Sequence, residues 1–420
     1  MLFCELNEKE FEQFSTSYPE KNIWQTTQMA HLREKRGFTV YYVGIKEEDK
    51  IIAAAMLTSN PSLGKYLSFQ SVRGFLIDYS NTELLTFFHH HLIEFIKQKN
   101  GMIFRIDPYL PYVERDLDGN EVKDGFSNRP IFDTFLSLGY KHTGFFRGNI
   151  NTLEPRWMYQ IPYKGRTSEE LLASFERKTI RSIHKAEKYH VTVRELPFDQ
   201  LDLFMKVMDH TEKRRGFTGR GKEYYENLYK IYKDDITFLY TELKVDDYIA
   251  SLQEDLNEMI KEKETAQKKY DAMPSTKMQN KLQLASNQVD QLHEKIQEAQ
   301  KLKETDGEVL VLASGAFFTY GDETMCLISG VYDKYMKFAA PYAMHWYMMK
   351  KSIAMGQKRY NLYGISGIFD ESADDYGVYL FKKGFNGEVI ELMGVFDYVV
   401  NPFMYKVYDS LRNIKHKILK

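Results

Sequence analysis

The run VDDYIASLQEDLNEMIKEKETAQKKYDAMPSTKMQNKLQLASNQVDQLHEKIQEAQKLKETD, residues 245–306, reads as one long, charged helical hairpin set inside a globular chain. In its second half Leu282, Ala285, Val289, Leu292, Ile296 and Ala299 alternate steps of three and four, the seam of a coiled coil. Ile249, Leu252, Leu256, Met259, Ala266, Tyr270 and Met273 offer a compatible stripe in the first half. Pro274 and Ser275 break the helix and send the chain back. At 1.5 Å per residue each arm spans roughly 40 Å. A catalyst of small molecules alone has little use for such an arm, so it implies a large or awkwardly placed partner.

Working outward, the flanks are rich in aromatic residues (30 Tyr, 28 Phe), which favours broad packing surfaces over disorder. A chain of 420 residues has room for two domains beside the hairpin. The net charge of −2 leaves nucleic-acid contact to local basic patches. Cys4 and Cys326 form neither a disulfide framework nor a CxxC pair, which fits a reducing cytosol. The first residues lack the pattern of a secretory signal, and no apolar run reaches membrane-spanning length. Val407, Leu411, Ile414 and Ile418 make a stripe among Lys406, Arg412, Lys415, Lys417 and Lys420. Such a helix suits either docking on the core or resting on an anionic membrane face. The eleven histidines show no spaced ligand set, so neither a metal nor another cofactor is expected.

The two flanks repeat one order of elements. In the first, a helix at 27–36 leads to strands at 39–46 and 51–58 and a strand ending at Arg73-Gly74; then come a helix at 82–99, a strand from Met102 to Asp107, a helix closing on Leu138-Gly139-Tyr140 and a last strand. In the second, a helix at 168–189 precedes strands at 236–243, 309–319 and 324–330; then come a helix at 341–355, a strand from Tyr360 to Tyr363, a helix closing on Lys383-Gly384-Phe385 and a final strand. The resulting α/β division is a first lobe at 1–150 joined by 395–420, a second lobe at 151–245 and 308–394, and the arm at 246–307.

Strands followed by helix, strand, helix, strand resemble the acetyltransferase-like (Gcn5-related) fold, here in two tandem copies with an inserted antiparallel two-helix coiled-coil arm. The whole chain resembles the Fem/MurM family of aminoacyl-tRNA-dependent peptidyltransferases. The likeness is carried by Arg73-Gly74-Phe75-Leu76-Ile77-Asp78-Tyr79, Ile106-Asp107-Pro108-Tyr109-Leu110-Pro111-Tyr112, Gly139-Tyr140-Lys141-His142-Thr143-Gly144-Phe145, Arg177 to Lys188, Tyr360-Asn361-Leu362-Tyr363-Gly364 and Tyr376 to Phe385. No one of these motifs is diagnostic; their order is. The resemblance implies an enzyme that moves amino acids from aminoacyl-tRNA onto the stem-peptide lysine of a lipid-linked peptidoglycan precursor. It further implies a cytoplasmic protein that touches the inner membrane face and pairs with itself or related transferases.

Asp107 ends an apolar strand and precedes Pro108, which stops the ladder; it either faces a cleft or caps a turn. The resemblance sets it beside the acceptor amine. Matching Gly139-Tyr140 to Gly384-Phe385 places Ser137 opposite Lys382, a cation in one copy only. The resemblance puts Lys382 at the aminoacyl-tRNA end, and an ordinary surface lysine is the competing reading. Lys213 to Gly221 is the densest basic loop, and its glycines admit a phosphate to the backbone. By resemblance Arg220 grips a pyrophosphate, Tyr224 contacts substrate, and Arg33 stands where the family has a second, lysine ligand. A planar fork there replaces a point charge. Ile328 occupies a place where some relatives carry a tyrosine. Arg177, Arg181, Lys185 and Lys188 fall at steps of four, four and three, opposite Leu172, Phe175, Thr179, Ile183 and Ala186. Thr167 and Glu170 fit a capping box that starts this helix. The basic stripe is either a solvated face or a contact for tRNA phosphates. Two other functions share the pattern: a non-catalytic coiled-coil scaffold and an acyl-CoA-dependent N-acetyltransferase. For the latter, the pyrophosphate loop is not evident.

Overall fold

The computed structural model describes residues 1–148, 154–216 and 218–418, with the side chains of 413–418 left aside. The first stretch runs β1 (Leu2–Glu5), α1 (Glu8–Ser17), α2 (Thr27–Lys35), β2 (Thr39–Glu47), β3 (Lys50–Leu63), β4 (Tyr66–Arg73), α3 (Thr82–Gln98), β5 (Gly101–Pro108), β6 (Pro111–Glu114), α4 (Arg129–Ser137) and β7 (Lys141–His142). The chain continues through β8 (Trp157–Pro162), α5 (Ser168–Ala173), α6 (Arg177–Lys188), β9 (Thr192–Glu195), α7 (Leu201–Arg215), α8 (Lys222–Tyr232) and β10 (Ile236–Lys244). Two long helices follow, α9 (Val245–Ala272) and α10 (Thr276–Asp306), then β11 (Val309–Tyr320), β12 (Glu323–Val331), α11 (Ala340–Ala354) and β13 (Arg359–Ile365). The last elements are α12 (Tyr376–Lys383), β14 (Glu388–Leu392), β15 (Phe396–Val399) and α13 (Pro402–Ile418).

Among the described residues the strands form two mixed sheets, ordered β1-β2-β3-β4-β5-β15-β7 and β6-β14-β8-β13-β12-β11-β10-β9. Each carries one parallel pair, β4 with β5 and β12 with β13, among antiparallel neighbours. The strand β6 departs from the sequence-based division, because it pairs with β14 in the second sheet. Conversely, β15 returns to the first sheet and lies between β5 and β7. The two sheets are glued by one shared core. Trp24, Met29, Leu32 and Met56 from the first half pack against Phe204, Tyr225, Phe238 and Phe318 from the second. Burying such large apolar side chains together is the main term that holds the halves in register.

The helical hairpin grows straight out of the β10–β11 ladder, where Lys244 pairs with Val309 and the Val245 amide donates to the Glu308 carbonyl at 2.9 Å. Leu252, Leu256, Ala266, Ala285, Val289, Ile296 and Ala299 are buried along its seam, and Leu282 and Leu292 are half-buried. Met273 is 74% exposed at the tip, so the first stripe stops short of it.

One expected helix is two. The stretch 168–189 breaks at Ser174–Glu176 because Phe175 turns inward against Trp346 and Phe385, while the Glu176 amide donates to the Gly384 carbonyl at 3.0 Å. The capping box does start α5: Thr167 accepts from the Glu170 amide, and the Glu170 carboxylate accepts from the Thr167 amide. The basic run is also less of a loop than expected. Lys213, Arg214 and Arg215 form the last turn of α7, closed by Gly216 at φ 68°, and Phe217 lies outside the described residues. For the C-terminal stripe, Lys420 and the side chains of Ile414, Lys415, Lys417 and Ile418 likewise lie outside what is described. No helix among the described residues is long and apolar enough to cross a membrane.

Candidate active site

Helix α2 is started by Thr26, whose hydroxyl accepts from the Met29 amide, and its apolar side sinks Met29, Ala30 and Leu32. That leaves Arg33 and the following Arg36 facing α8. Arg220 precedes α8, and Tyr224 sits in its first turn. The four side chains line one small pocket floored by Trp24, Phe318 and Met325. The guanidiniums of Arg220 and Arg36 lie 5.7 and 6.0 Å from the Tyr224 ring centroid. Burial, with Arg33 and Arg220 close by, holds the pKa of Arg36 below its ordinary value. Three crowded guanidiniums with donors to spare can take up a polyanion.

Glu154 lines this pocket and also a much larger cleft of about 1240 Å³ beside it. Asp107 and Lys382 both line that cleft. Asp107 sits at the C-terminal end of β5, register partner of Val72 on β4. Its Oδ1 accepts from the Arg73 amide at 3.0 Å, and its Oδ2 lies 3.3 Å from the Arg73 guanidinium. Arg73 is itself buried, lies over the rings of Trp24 and Tyr109, and donates to the Pro155 carbonyl at 2.6 Å. Burial pushes the Asp107 carboxyl up to about 6, with Arg73 pulling back and Glu154 adding to the rise. A carboxylate in that range is a far better base near neutral pH than an ordinary one.

Lys382 closes α12 and donates to the Gly364 carbonyl at 2.6 Å. Burial brings its ammonium down to about 8. Behind it, burial and then the Lys382 charge drive His345 to about 3, so that imidazole is neutral and hydrogen-bonded to the Tyr360 hydroxyl at 2.8 Å. Burial also raises the Cys326 thiol to about 11, which removes it as a nucleophile. The arrangement can therefore hold an anion, accept a proton and present a cation within adjoining cavities.

The structure thus brings Arg33, Arg220 and Tyr224 into one pocket, and Asp107 and Lys382 into its neighbouring cleft. It does not bring Arg177, Arg181, Lys185 and Lys188 there. They project from the exposed face of α6, and Lys188 pairs with Asp255 of the arm at 2.7 Å. Besides Lys382 and Arg73, the cations that line the cleft are Arg156, Lys178, Arg214 and Arg215. Sequence reasoning also missed Arg36, Arg73 and Glu154. Arg73 has a legible signal, since it ends the strand next to the one ended by Asp107; Glu154 has none.

A pocket lined by three guanidiniums beside a cleft lined by a buried carboxyl and a buried ammonium suits a group-transfer enzyme. The chain belongs to the FemAB family, whose profile matches residues 6–413, and it is an aminoacyltransferase. It is 34% identical over 420 residues to "Aminoacyltransferase FemA" of Staphylococcus aureus (strain bovine RF122 / ET3-1), covering 100% of both chains. The same identity and coverage hold for the strain N315 protein of that name. Among solved structures, FemX superposes with a TM-score of 0.76 at 25% identity, covering 97% of this chain and 99% of that one.

Proposed function

We propose that the protein transfers an amino acid from aminoacyl-tRNA to the stem-peptide amine of a lipid-linked peptidoglycan precursor, building the interpeptide bridge. The observation that carries this reading is the convergence of Arg33, Arg220 and Tyr224 on a pocket sharing Glu154 with the cleft of Asp107 and Lys382. Arg33 and Arg220 grip the precursor's diphosphate. Asp107 orients the acceptor amine and takes its proton as the nitrogen attacks the ester carbonyl. Lys382 offsets charge on the tetrahedral oxyanion or the leaving ribose. The ester is already activated, so positioning supplies much of the remaining rate. On this reading the two sheets with their helices are acetyltransferase-like lobes. The long hairpin is a coiled-coil arm for a large partner, and α13 rests on the inner membrane face.

The test is Arg220→Ala assayed with lipid-linked acceptor and charged tRNA. Losing a charge-assisted contact of about 1.5–3 kcal/mol raises KM for the acceptor roughly 10- to 100-fold and leaves kcat nearly intact. Unchanged acceptor kinetics would remove the assignment.

A further inference from the structure

The acceptor amine of the reaction arrives protonated, because a lysine amine has a pKa near ~10.4. Something in the site must therefore welcome a cation before Asp107 can act on it. Asp107 already faces a guanidinium: the pair it makes with Arg73 leaves little net charge to offer. The guanidiniums of the small pocket, Arg33, Arg36 and Arg220, suit the diphosphate, and Glu154 is the one acidic residue in its lining.

Glu154 is different in three respects. It lines both cavities, so a substrate with its diphosphate in the small pocket and its peptide in the cleft must pass it. Its carboxylate accepts a hydrogen bond from the Tyr363 hydroxyl, and although Arg33, Arg36 and Arg220 share its pocket, none of the ion pairs among the described residues includes it. It is also held in place from both sides. The next residue, Pro155, is anchored through its carbonyl to the guanidinium that pairs with Asp107, and Tyr363 stacks on Trp24 at 6.3 Å between centroids. A carboxyl group held in place by a hydroxyl, with no ion pair of its own, is placed to meet a cationic ligand. Deepening the functional reading above, on which it rests, we propose that Glu154 is the docking site for the acceptor's ammonium group. It receives the charged amine at the junction of the two cavities and hands it to Asp107.

The experiment titrates a soluble diphosphate-linked muramoyl pentapeptide into the full-length protein by calorimetry, with the lysine side chain either free or Nε-acetylated. Wild type binds the free-amine form about tenfold more tightly than the acetylated form, the usual scale of one charged hydrogen bond. In Glu154→Gln, which keeps an acceptor for Tyr363, that preference falls below about twofold while affinity for the acetylated form is unchanged. Glu154→Asp, with its charge retained, keeps a several-fold preference, which a merely structural residue would not. An undiminished preference in Glu154→Gln overturns the proposal and leaves the diphosphate reading standing. Loss of affinity for both forms alike in Glu154→Gln and Glu154→Asp overturns it too. If neither form binds wild type, the underlying functional reading falls with it.

Discussion

Asp107 and Lys382 are buried almost equally, at 9% and 8% exposure, in the walls of one cleft, yet the protein keeps each ionised by a different means. Asp107 has a buried counterion. Arg73 restrains the upward push of burial, so the carboxyl stops at about 6 and is mostly ionised at neutral pH. Lys382 makes no ion pair among the described residues; it donates to the Gly364 carbonyl, and burial, opposed by Cys326 and Asp375, leaves it at about 8 and mostly cationic. Both are costly charges in a dry place, which is where catalytic acids and bases are commonly found. The difference teaches that a weak base needs protein help to stay charged under burial, whereas a strong one can lose ground and still serve.

The sharpest way to break this comparison is Asp107→Asn. Loss of the base lowers kcat/KM by about 10²–10⁴-fold, read in single-turnover assays with saturating charged tRNA. Lys382→Met comes next, with an expected loss of about 10²–10³-fold in kcat. Thermal unfolding at neutral pH adds a second readout: Lys382→Met melts higher than wild type because a desolvated cation is gone. Equal or lower melting would mean Lys382 is better compensated than its surroundings show. A milder probe is the pH profile of kcat/KM, expected to be bell-shaped with limbs near 6 and 8; Asp107→Asn abolishes the acidic one.

Smallest are the linked effects on stability, which run in opposite directions. The raised pKa of Asp107 gives a contribution present below its unfolded value near 3.8 and lost as pH climbs through about 6. The depressed pKa of Lys382 gives one present above 10.5 and lost as pH falls through about 8. Denaturant titrations of wild type against each variant across those windows check both signs.

Much of this was legible in the sequence, and the losses have physical causes. The strands β2, β3, β5, β10 and β11 carry β-branched and aromatic runs that identify them without tertiary help. The two long helices α9 and α10 were legible from their apolar spacing and the break at Pro274. By contrast, β6 is four residues long and exists because β14 offers it an edge. The helix at 168–189 looked continuous because its apolar spacing is helical throughout; only the contacts of Phe175 and Glu176 divide it. The strand end and Pro108 located Asp107 at the end of β5 but left a turn cap and a cleft-facing carboxylate both open; its lining of the cleft needed the fold. Arg73 needed the parallel pairing of β4 with β5, and Glu154 needed two cavities that no local pattern encodes.

The late return of β15 has a consequence for biosynthesis. Among the described residues its neighbour β7 reaches the first sheet only through β15, so the edge of β5 stays open until residues 396–399 leave the ribosome. At typical elongation rates that delay is on the order of tens of seconds. Throughout it, the nascent chain displays an unsatisfied strand edge that invites aggregation or chaperone capture.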